Sequence, residues 1–390
     1  MYILFITTGF PAKGKPATGY PNYLLRVSLA LIDLGHTPII LSAGSSNSRR
    51  FDNGIEIRTV KYDYVGLGNS ILDYTVNSLR KSYTLNKEIE SIQSEKKIDI
   101  IQFTSLEGTA LFHYGKTPAV LRLSSYAKTY FASYSTYNKT QVKVMSLMER
   151  LSSQKCNAVF APCQITARAF EKDIRRRVYT IETPFVEDVK AYDETYLNRN
   201  LKGKKYVLFF GSLYAEKGIK VISDCLERFL GKNMDYFFAF VGRAERIGGE
   251  NAGELLKRSA GKYRNKIIIM PEMTHKYLYP IIKNADFVVL PSLMDNFPNA
   301  CIEAMYFGKI VIGTAGASFE QLIDDRVSGF LCNIGDAEDL LAKMQQVVEL
   351  DSDRREEMEM RAQQRIDLLK PEKVVKQLLR FYQAVLRKCK

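Results

Sequence analysis

Short runs of consecutive apolar residues alternate along the chain with longer segments whose apolar positions recur every three or four residues. The runs in the first half are Tyr2–Ile6, Thr37–Ser42, Ile98–Phe103, Ala119–Leu123 and Ala158–Ala161. Between the first two, Tyr20–Leu34 sets Leu24, Leu25, Val27, Leu29, Ala30 and Leu31 at helical spacing. Strands that are apolar throughout, separated by helices, predict a parallel sheet covered on both faces. The pattern restarts at Tyr206–Phe210, passes through a glycine-containing turn and a helix, and continues at Phe237–Val241, Lys266–Met270, Phe287–Leu290 and Ile310–Gly313. This predicts two doubly wound α/β domains, residues 1–185 and 186–371. The join falls in a polar stretch near 182–205 that holds Glu187, Asp188, Asp193 and Glu194. Pro371 suits a helix start, and Val374, Val375, Leu378, Leu379, Tyr382, Val385 and Leu386 form one apolar stripe behind it. The tail 372–390 is therefore expected to be a helix packed back on the first domain. Ligands of such domains bind outside the carboxyl ends of the strands, so two facing domains predict a cleft site.

A length of 390 residues fits this organisation. No stretch of about 18 apolar residues is present, which excludes an obvious spanning helix. The chain starts directly on a strand pattern, without the basic start and long apolar stretch of a signal peptide. Six cysteines are scattered without a CxxC pair, which argues against zinc and for reduced thiols in a cytosol. The net charge of +13 is uneven: residues 1–185 hold 24 basic and 14 acidic side chains, and residues 186–390 hold 32 and 29. A basic half joined to a near-neutral half predicts that one domain meets an anionic partner.

The segment richest in chemistry is Pro291-Ser292-Leu293-Met294-Asp295-Asn296-Phe297-Pro298-Asn299-Ala300-Cys301-Ile302-Glu303-Ala304-Met305-Tyr306-Phe307-Gly308. It follows a buried strand and opens a short helix. The exposed N–H groups at a helix start near Asn299–Cys301 can hold a phosphate. Asp295 before the helix and Glu303 one turn inside it could hold hydroxyl groups on either side of that phosphate. A sugar, a diphosphate and a ribose present that sequence of groups. The competing reading makes Asn296 or Asn299 a simple N-cap and Glu303 a solvated helix residue.

These residues resemble the retaining glycosyltransferases of family 4, whose signature is two carboxylates seven residues apart within a Pro-Ser…Glu-Ala-Met frame. Here the first carboxylate is Asp295 in place of Glu. The resemblance extends through Gly211-Ser212-Leu213-Tyr214-Ala215-Glu216-Lys217-Gly218, Val241-Gly242, Ala285–Ser292, Val311–Thr314, Gly316–Glu320 and Ser328–Leu331. Gly19 and the helix to Leu34-Gly35-His36 match the loop and helix after the first strand. The match is closest over 206–335 and looser over 1–185. It implies the GT-B fold, two Rossmann-like domains facing across a cleft. It also implies transfer of a sugar from a nucleotide sugar, foremost a UDP-sugar, to a hydroxyl acceptor with retention at the anomeric carbon. The proposed course is front-face attack, with the leaving phosphate helping to take the acceptor proton.

Residue by residue, the resemblance gives Asp295, Lys217 and Glu303 the catalytic positions. Glu303 would take the ribose hydroxyls, Asp295 the transferred sugar, and Lys217 the diphosphate charge. Phe297, Pro298, Asn299 and Ala300 would bring backbone N–H groups to sugar and phosphate beside Asn296. Gly19 would let the N-terminal loop approach the donor. Ser212 stands where the family often has Arg, and Arg243 is the candidate to replace that cation. The histidine that many members direct at the donor sugar has no counterpart, and Arg122 and Ser124 are its candidate substitutes. No cofactor and no metal are implied. Asp351-Ser352-Asp353 precedes a charged helix, where capping is the favoured role.

On the acceptor side, residues 126–143 interleave tyrosines with Lys128, Lys139 and Lys143. Tyr126, Lys128, Tyr130 and Tyr134, with Arg122 and Ser124, are the candidate acceptor or membrane residues. Aromatic rings beside cations suit a membrane interface, a sugar platform or nucleic-acid stacking. The expected partners are a nucleotide-sugar donor, a saccharide or lipid-linked acceptor, and an anionic membrane surface on the cytoplasmic side during surface-polysaccharide assembly. Two other classes stay open: a sugar-nucleotide epimerase on the same architecture, and a nucleic-acid-binding or modifying protein. Nucleic acid is disfavoured because no groove-reading motif is present.

Overall fold

The computed structural model describes residues 1–11, 19–131 and 138–389. The chain divides into two compact units, Met1–Val186 with Leu369–Lys390, and Glu187–Leu368. The first unit contains β1 (Tyr2–Thr7), α1 (Tyr20–Asp33), β2 (Thr37–Gly44), β3 (Ser48–Asp52), β4 (Ile55–Lys61), α2 (Ser70–Glu95) and β5 (Ile100–Thr104). It continues through β6 (Ala119–Arg122), α3 (Ala127–Tyr130), α4 (Lys139–Gln154), β7 (Ala158–Ala161), α5 (Gln164–Ile174) and β8 (Val178–Thr180). Its sheet has the order β3-β4-β2-β1-β5-β6-β7-β8. All pairs are parallel except β3 with β4. That antiparallel edge corrects the expectation of a purely parallel sheet. Asn53 and Gly54, with φ of 48° and 80°, make the two-residue turn between them.

The unbroken apolar run of β1 is explained by two covered faces. Ile3 and Phe5 point into a core shared with Leu24, Val27 and Leu31 of α1. Leu4 and Ile6 point into the opposite core with Leu85 and Ile89 of α2 and Phe170 of α5.

The second unit contains α6 (Thr195–Asn200), β9 (Lys205–Phe210), α7 (Ile219–Lys232), β10 (Tyr236–Val241), β11 (Arg246–Ile247), β12 (Glu250–Asn251), α8 (Ala252–Ser259) and β13 (Ile267–Met270). It continues through α9 (His275–Asn284), β14 (Phe287–Val289), α10 (Asn299–Tyr306), β15 (Val311–Thr314), β16 (Phe330–Cys332), α11 (Ala337–Val348) and α12 (Ser352–Asp367). Its main sheet, β13-β10-β9-β14-β15-β16, is parallel throughout. Asp351 caps α12 by accepting from the Arg354 N–H at 2.9 Å.

The final helix, α13 (Pro371–Lys388), starts on Pro371 and belongs to the first unit. Seven of its residues are buried: Val374, Val375, Leu378, Leu379, Phe381, Tyr382 and Val385. At roughly 1.5–3 kcal/mol for each fully buried large side chain, this face contributes on the order of 10 kcal/mol before ordering entropy. A polar string fixes its position. The Tyr382 hydroxyl donates to Gln102 Oε1 at 2.6 Å, and Gln102 Nε2 donates to the Tyr20 hydroxyl at 3.2 Å. No described helix is long and apolar enough to cross a membrane.

Candidate active site

In the second unit the chain runs from β9 outward to β10 and β13, then returns to β14 on the other side of β9. Strand order reverses between β9 and β14, and the loops leaving their carboxyl ends diverge there, which is where such sheets open a ligand site. Two glycines let these loops meet. A Cβ on Gly218, at φ +78°, would lie 1.9 Å from the carbonyl oxygen of Pro291. One on Gly242 would lie 1.9 Å from the Gly211 carbonyl oxygen. The Leu293 N–H also donates to the Glu216 carbonyl at 2.8 Å.

This backbone contact brings Lys217 and Asp295 together. Lys217 Nζ donates to Asp295 Oδ2 at 2.6 Å, and the two side chains are 25% and 14% exposed. Asp295 is fixed at its backbone too, where its carbonyl accepts from Ser318 Oγ at 3.0 Å. Its other carboxylate oxygen accepts from the Asn296 N–H at 3.0 Å. Helix α10 follows at once. Its N-cap residue is Pro298, which makes no side-chain cap bond. Neither Asn296 nor Asn299 occupies the N-cap position. The first-turn N–H groups of α10 carry the partial positive charge of a helix start. Phe297 and Pro298 are buried, Asn299 is exposed, and Asn296 and Ala300 are half-buried.

Glu303 lies one turn into α10, with its side chain 11% exposed. Its surroundings were not anticipated from sequence. His275, the first residue of α9, places Nε2 3.6 Å from Glu303 Oε1 and Nδ1 2.9 Å from Asp188 Oδ1. Tyr279, one turn along α9, stacks on the His275 ring at 4.7 Å between centroids and 9° between planes. Tyr306 donates to Glu187 at 2.8 Å, and burial with this carboxylate pushes its pKa up to about 12. The i, i+4 spacing of His275 and Tyr279 was the one available signal for the stack. Asp188, 87 residues from His275, gave none. Ser212 is half-buried on the β9 loop. Arg243 is 67% exposed and paired with Glu245 at 2.8 Å.

Residues 195–365 match the family model described as "Glycosyl transferases group 1". The second unit is a glycosyltransferase domain. No curated protein sequence matches the chain. Over the whole chain, the fold is similar to that of several solved structures. Sucrose-phosphate synthase from Thermosynechococcus elongatus aligns at 15% identity and a TM-score of 0.73, covering 99% of both chains. A glycosyltransferase from Rickettsia africae aligns at 18% identity and 0.69, covering 99% of this chain and 98% of that one. HepE from Anabaena, solved in complex with UDP, aligns at 17% identity and 0.71, covering 98% and 100%. The two α/β units thus have the GT-B fold.

The remaining candidates lie outside the glycosyltransferase domain, in the first unit. Gly19 is exposed at the start of α1 with φ +59°. Arg122 is only 4% exposed. Its guanidinium donates to Ser124 Oγ at 2.8 Å and Thr183 Oγ1 at 2.9 Å, and lies 3.8 Å from the centre of the Tyr23 ring. Tyr126 is fully buried, edge-on to Phe170, with its hydroxyl between Asp173 and Ser146. Arg122 and Tyr126 were candidates for an acceptor or membrane; their burial corrects the membrane half of that expectation. Lys128 is exposed and paired with Asp173 at 2.8 Å. Tyr130 is half-buried beside Phe131. Tyr134 lies outside the described residues. Among the described residues, no group of acidic, histidine or cysteine side chains could hold a metal ion.

Proposed function

We propose that the chain is a retaining glycosyltransferase of family 4 that moves a sugar from a nucleotide sugar, foremost a UDP-sugar, to a hydroxyl on a saccharide or lipid-linked acceptor. The observation that carries this reading is the Lys217–Asp295 pair beside the start of α10, with Glu303 one turn further. Lys217 and the α10 N–H groups offer positive charge to a diphosphate. Asp295 and Glu303 offer acceptors to hydroxyls on its two sides, the transferred sugar and the ribose.

In the reaction, the bond from the anomeric carbon to the diphosphate oxygen breaks and a bond to the acceptor oxygen forms on the same face. The acceptor proton leaves to the departing phosphate. Charge builds on the diphosphate as it leaves, so a fixed cation and fixed N–H dipoles stabilise the transition state more than the ground state. Surface-polysaccharide assembly at the cytoplasmic face of a membrane is the setting that suits the basic first unit. There α4 exposes Lys139, Lys143, Leu147, Arg150 and Leu151 on one face.

The test is a thermal-shift screen of nucleotide sugars, with UDP and GDP alone as controls, followed by transfer assays. Lys217→Ala and Glu303→Ala should each lower transfer by at least about 100-fold, the scale of one preorganised charge-stabilising group. Both proteins should keep wild-type circular dichroism. Full activity in both variants would overturn the site assignment.

A further inference from the structure

Resting on the reading that Glu303 takes the ribose hydroxyls, we propose that His275 is a positioning residue that holds the Glu303 carboxylate for a ribose. It thereby makes the site select ribonucleoside diphosphates over their dideoxy forms. The ring is fixed in three ways. Tyr279 sets its plane by stacking. Asp188 sets its rotation by approaching Nδ1 with both oxygens, at 2.9 and 3.1 Å. Tyr279 in turn donates to the same carboxylate at 3.4 Å. With Nδ1 committed to Asp188, the opposite nitrogen can only face Glu303 Oε1, at 3.6 Å.

That distance is longer than a hydrogen bond. A polar ring edge at that distance bounds where the carboxylate can sit. The support is tied to both helices it serves. The loop bearing Asp188 is anchored on α9 by Lys276, which pairs with Asp193 at 3.2 Å, and on α10 by the Tyr306 bond to Glu187. A partner that fixes the orientation of a binding group commonly matters nearly as much as the group itself. A site built to accept hydrogen bonds from a hydroxyl discriminates strongly against the analogue that lacks it.

The experiment measures calorimetric affinities of the full chain for UDP and GDP, each against its 2′,3′-dideoxy counterpart. Hydrogen bonds to a charged acceptor predict a wild-type preference of roughly 10- to 150-fold for the ribonucleotide. Three substitutions separate the two ends of the ring. H275A removes both. H275N keeps an amide near the Nδ1 position, facing Asp188, and nothing toward Glu303. H275Q carries its amide near the Nε2 position, facing Glu303. The preference should collapse in H275A, H275N and E303A, and survive in H275Q. If E303A loses the preference while H275A and H275N keep it, this inference fails and the ribose role of Glu303 stands. Equal weakening of both nucleotides in the His275 variants marks a merely structural ring and also overturns it. If E303A keeps the preference, or neither diphosphate binds the wild type, both readings fall.

Discussion

Glu149 on α4 is a buried carboxyl whose replacement should stabilise the protein increasingly as pH rises above about 4.3. The residue is 4% exposed. It accepts from the Ala127 N–H at 2.9 Å and from Ser105 Oγ at 3.4 Å. Burial outweighs these two bonds and pushes its pKa up to about 8. An unfolded glutamate titrates near about 4.3. The native state therefore keeps a proton that the unfolded chain releases between those values. The stability this contributes is fully present below about pH 4.3 and is lost as pH rises to about 8. Each pH unit in the window costs about 1.4 kcal/mol, so the loss at pH 7 is about 3–4 kcal/mol. Glu149→Gln keeps a carbonyl for the Ala127 N–H and cannot ionise. Its stability relative to wild type should be near zero at pH 4.5 and rise by about 3 kcal/mol at pH 7. Since the chain has no tryptophan, urea unfolding followed by far-ultraviolet circular dichroism at pH 4.5, 6, 7 and 8.5 is the assay. A difference between the two proteins that stays flat across that range would refute the argument.

Gly218→Ala should lower the melting temperature and weaken UDP binding by at least about tenfold. The new Cβ meets the Pro291 carbonyl at φ +78° and displaces the loop carrying Lys217; wild-type UDP affinity would contradict this. Tyr382→Phe should cost about 1–3 kcal/mol in urea unfolding, because Gln102 Oε1 loses its buried donor. An unchanged midpoint would show the string between α13 and the sheet to be energetically idle. In liposome flotation the protein should be recovered with anionic vesicles at low salt and released at high salt. Lys143→Glu with Arg150→Glu should weaken recovery by about 1 kcal/mol or more per reversed charge. Equal recovery with neutral vesicles would dismiss the membrane contact.

What the sequence disclosed depended on how local each signal was. Strands buried on both faces read as apolar runs, so Tyr206–Phe210 and Phe287–Leu290 fall within a residue of β9 and β14. The β3–β4 hairpin was passed over although Asn53-Gly54 is a strong turn signal, because Ser48–Asp52 is a polar edge strand. Helix α2 left little trace because Asn77, Ser78, Ser82 and Asn86 are among its buried residues, where an apolar stripe would be sought. Strands β8 and β16 span three residues each, too few for any period. In the site, Pro291–Gly308 was legible as a loop opening a short helix because the segment is continuous in sequence. The His275 support joins three distant segments and was not. Tyr126 was misread as an interface residue because its partner, Asp173, is 47 positions away.

The division into units also changes the meaning of the net charge. Counted by unit, Met1–Val186 with Leu369–Lys390 carries 31 basic and 15 acidic side chains, whereas Glu187–Leu368 carries 25 and 28. The excess is confined to the first unit, and the tail supplies seven of its cations against one carboxylate. Some of these cations have structural duties. Arg176 donates to the carbonyls of Ser153, Cys156 and Asn157 and so terminates α4. Others line a groove of about 500 Å³ between the β7–β8 edge and α13, Arg177 over the Tyr179 ring together with Arg380 and Lys388. The slightly acidic second unit, by contrast, repels an anionic nucleotide at long range. On the proposed function, local charge at Lys217 and the start of α10 would supply its grip on a diphosphate. Salt should separate the two effects. Raising ionic strength screens the diffuse field of the first unit within a Debye length of about 10 Å at 0.1 M, while the half-buried Lys217 contact is screened much less. An acceptor or surface drawn by the first unit should lose affinity steeply with salt, and nucleotide binding should fall only shallowly. Equal slopes would mean that the charge partition has no part in how the protein sorts the two ligands proposed for it.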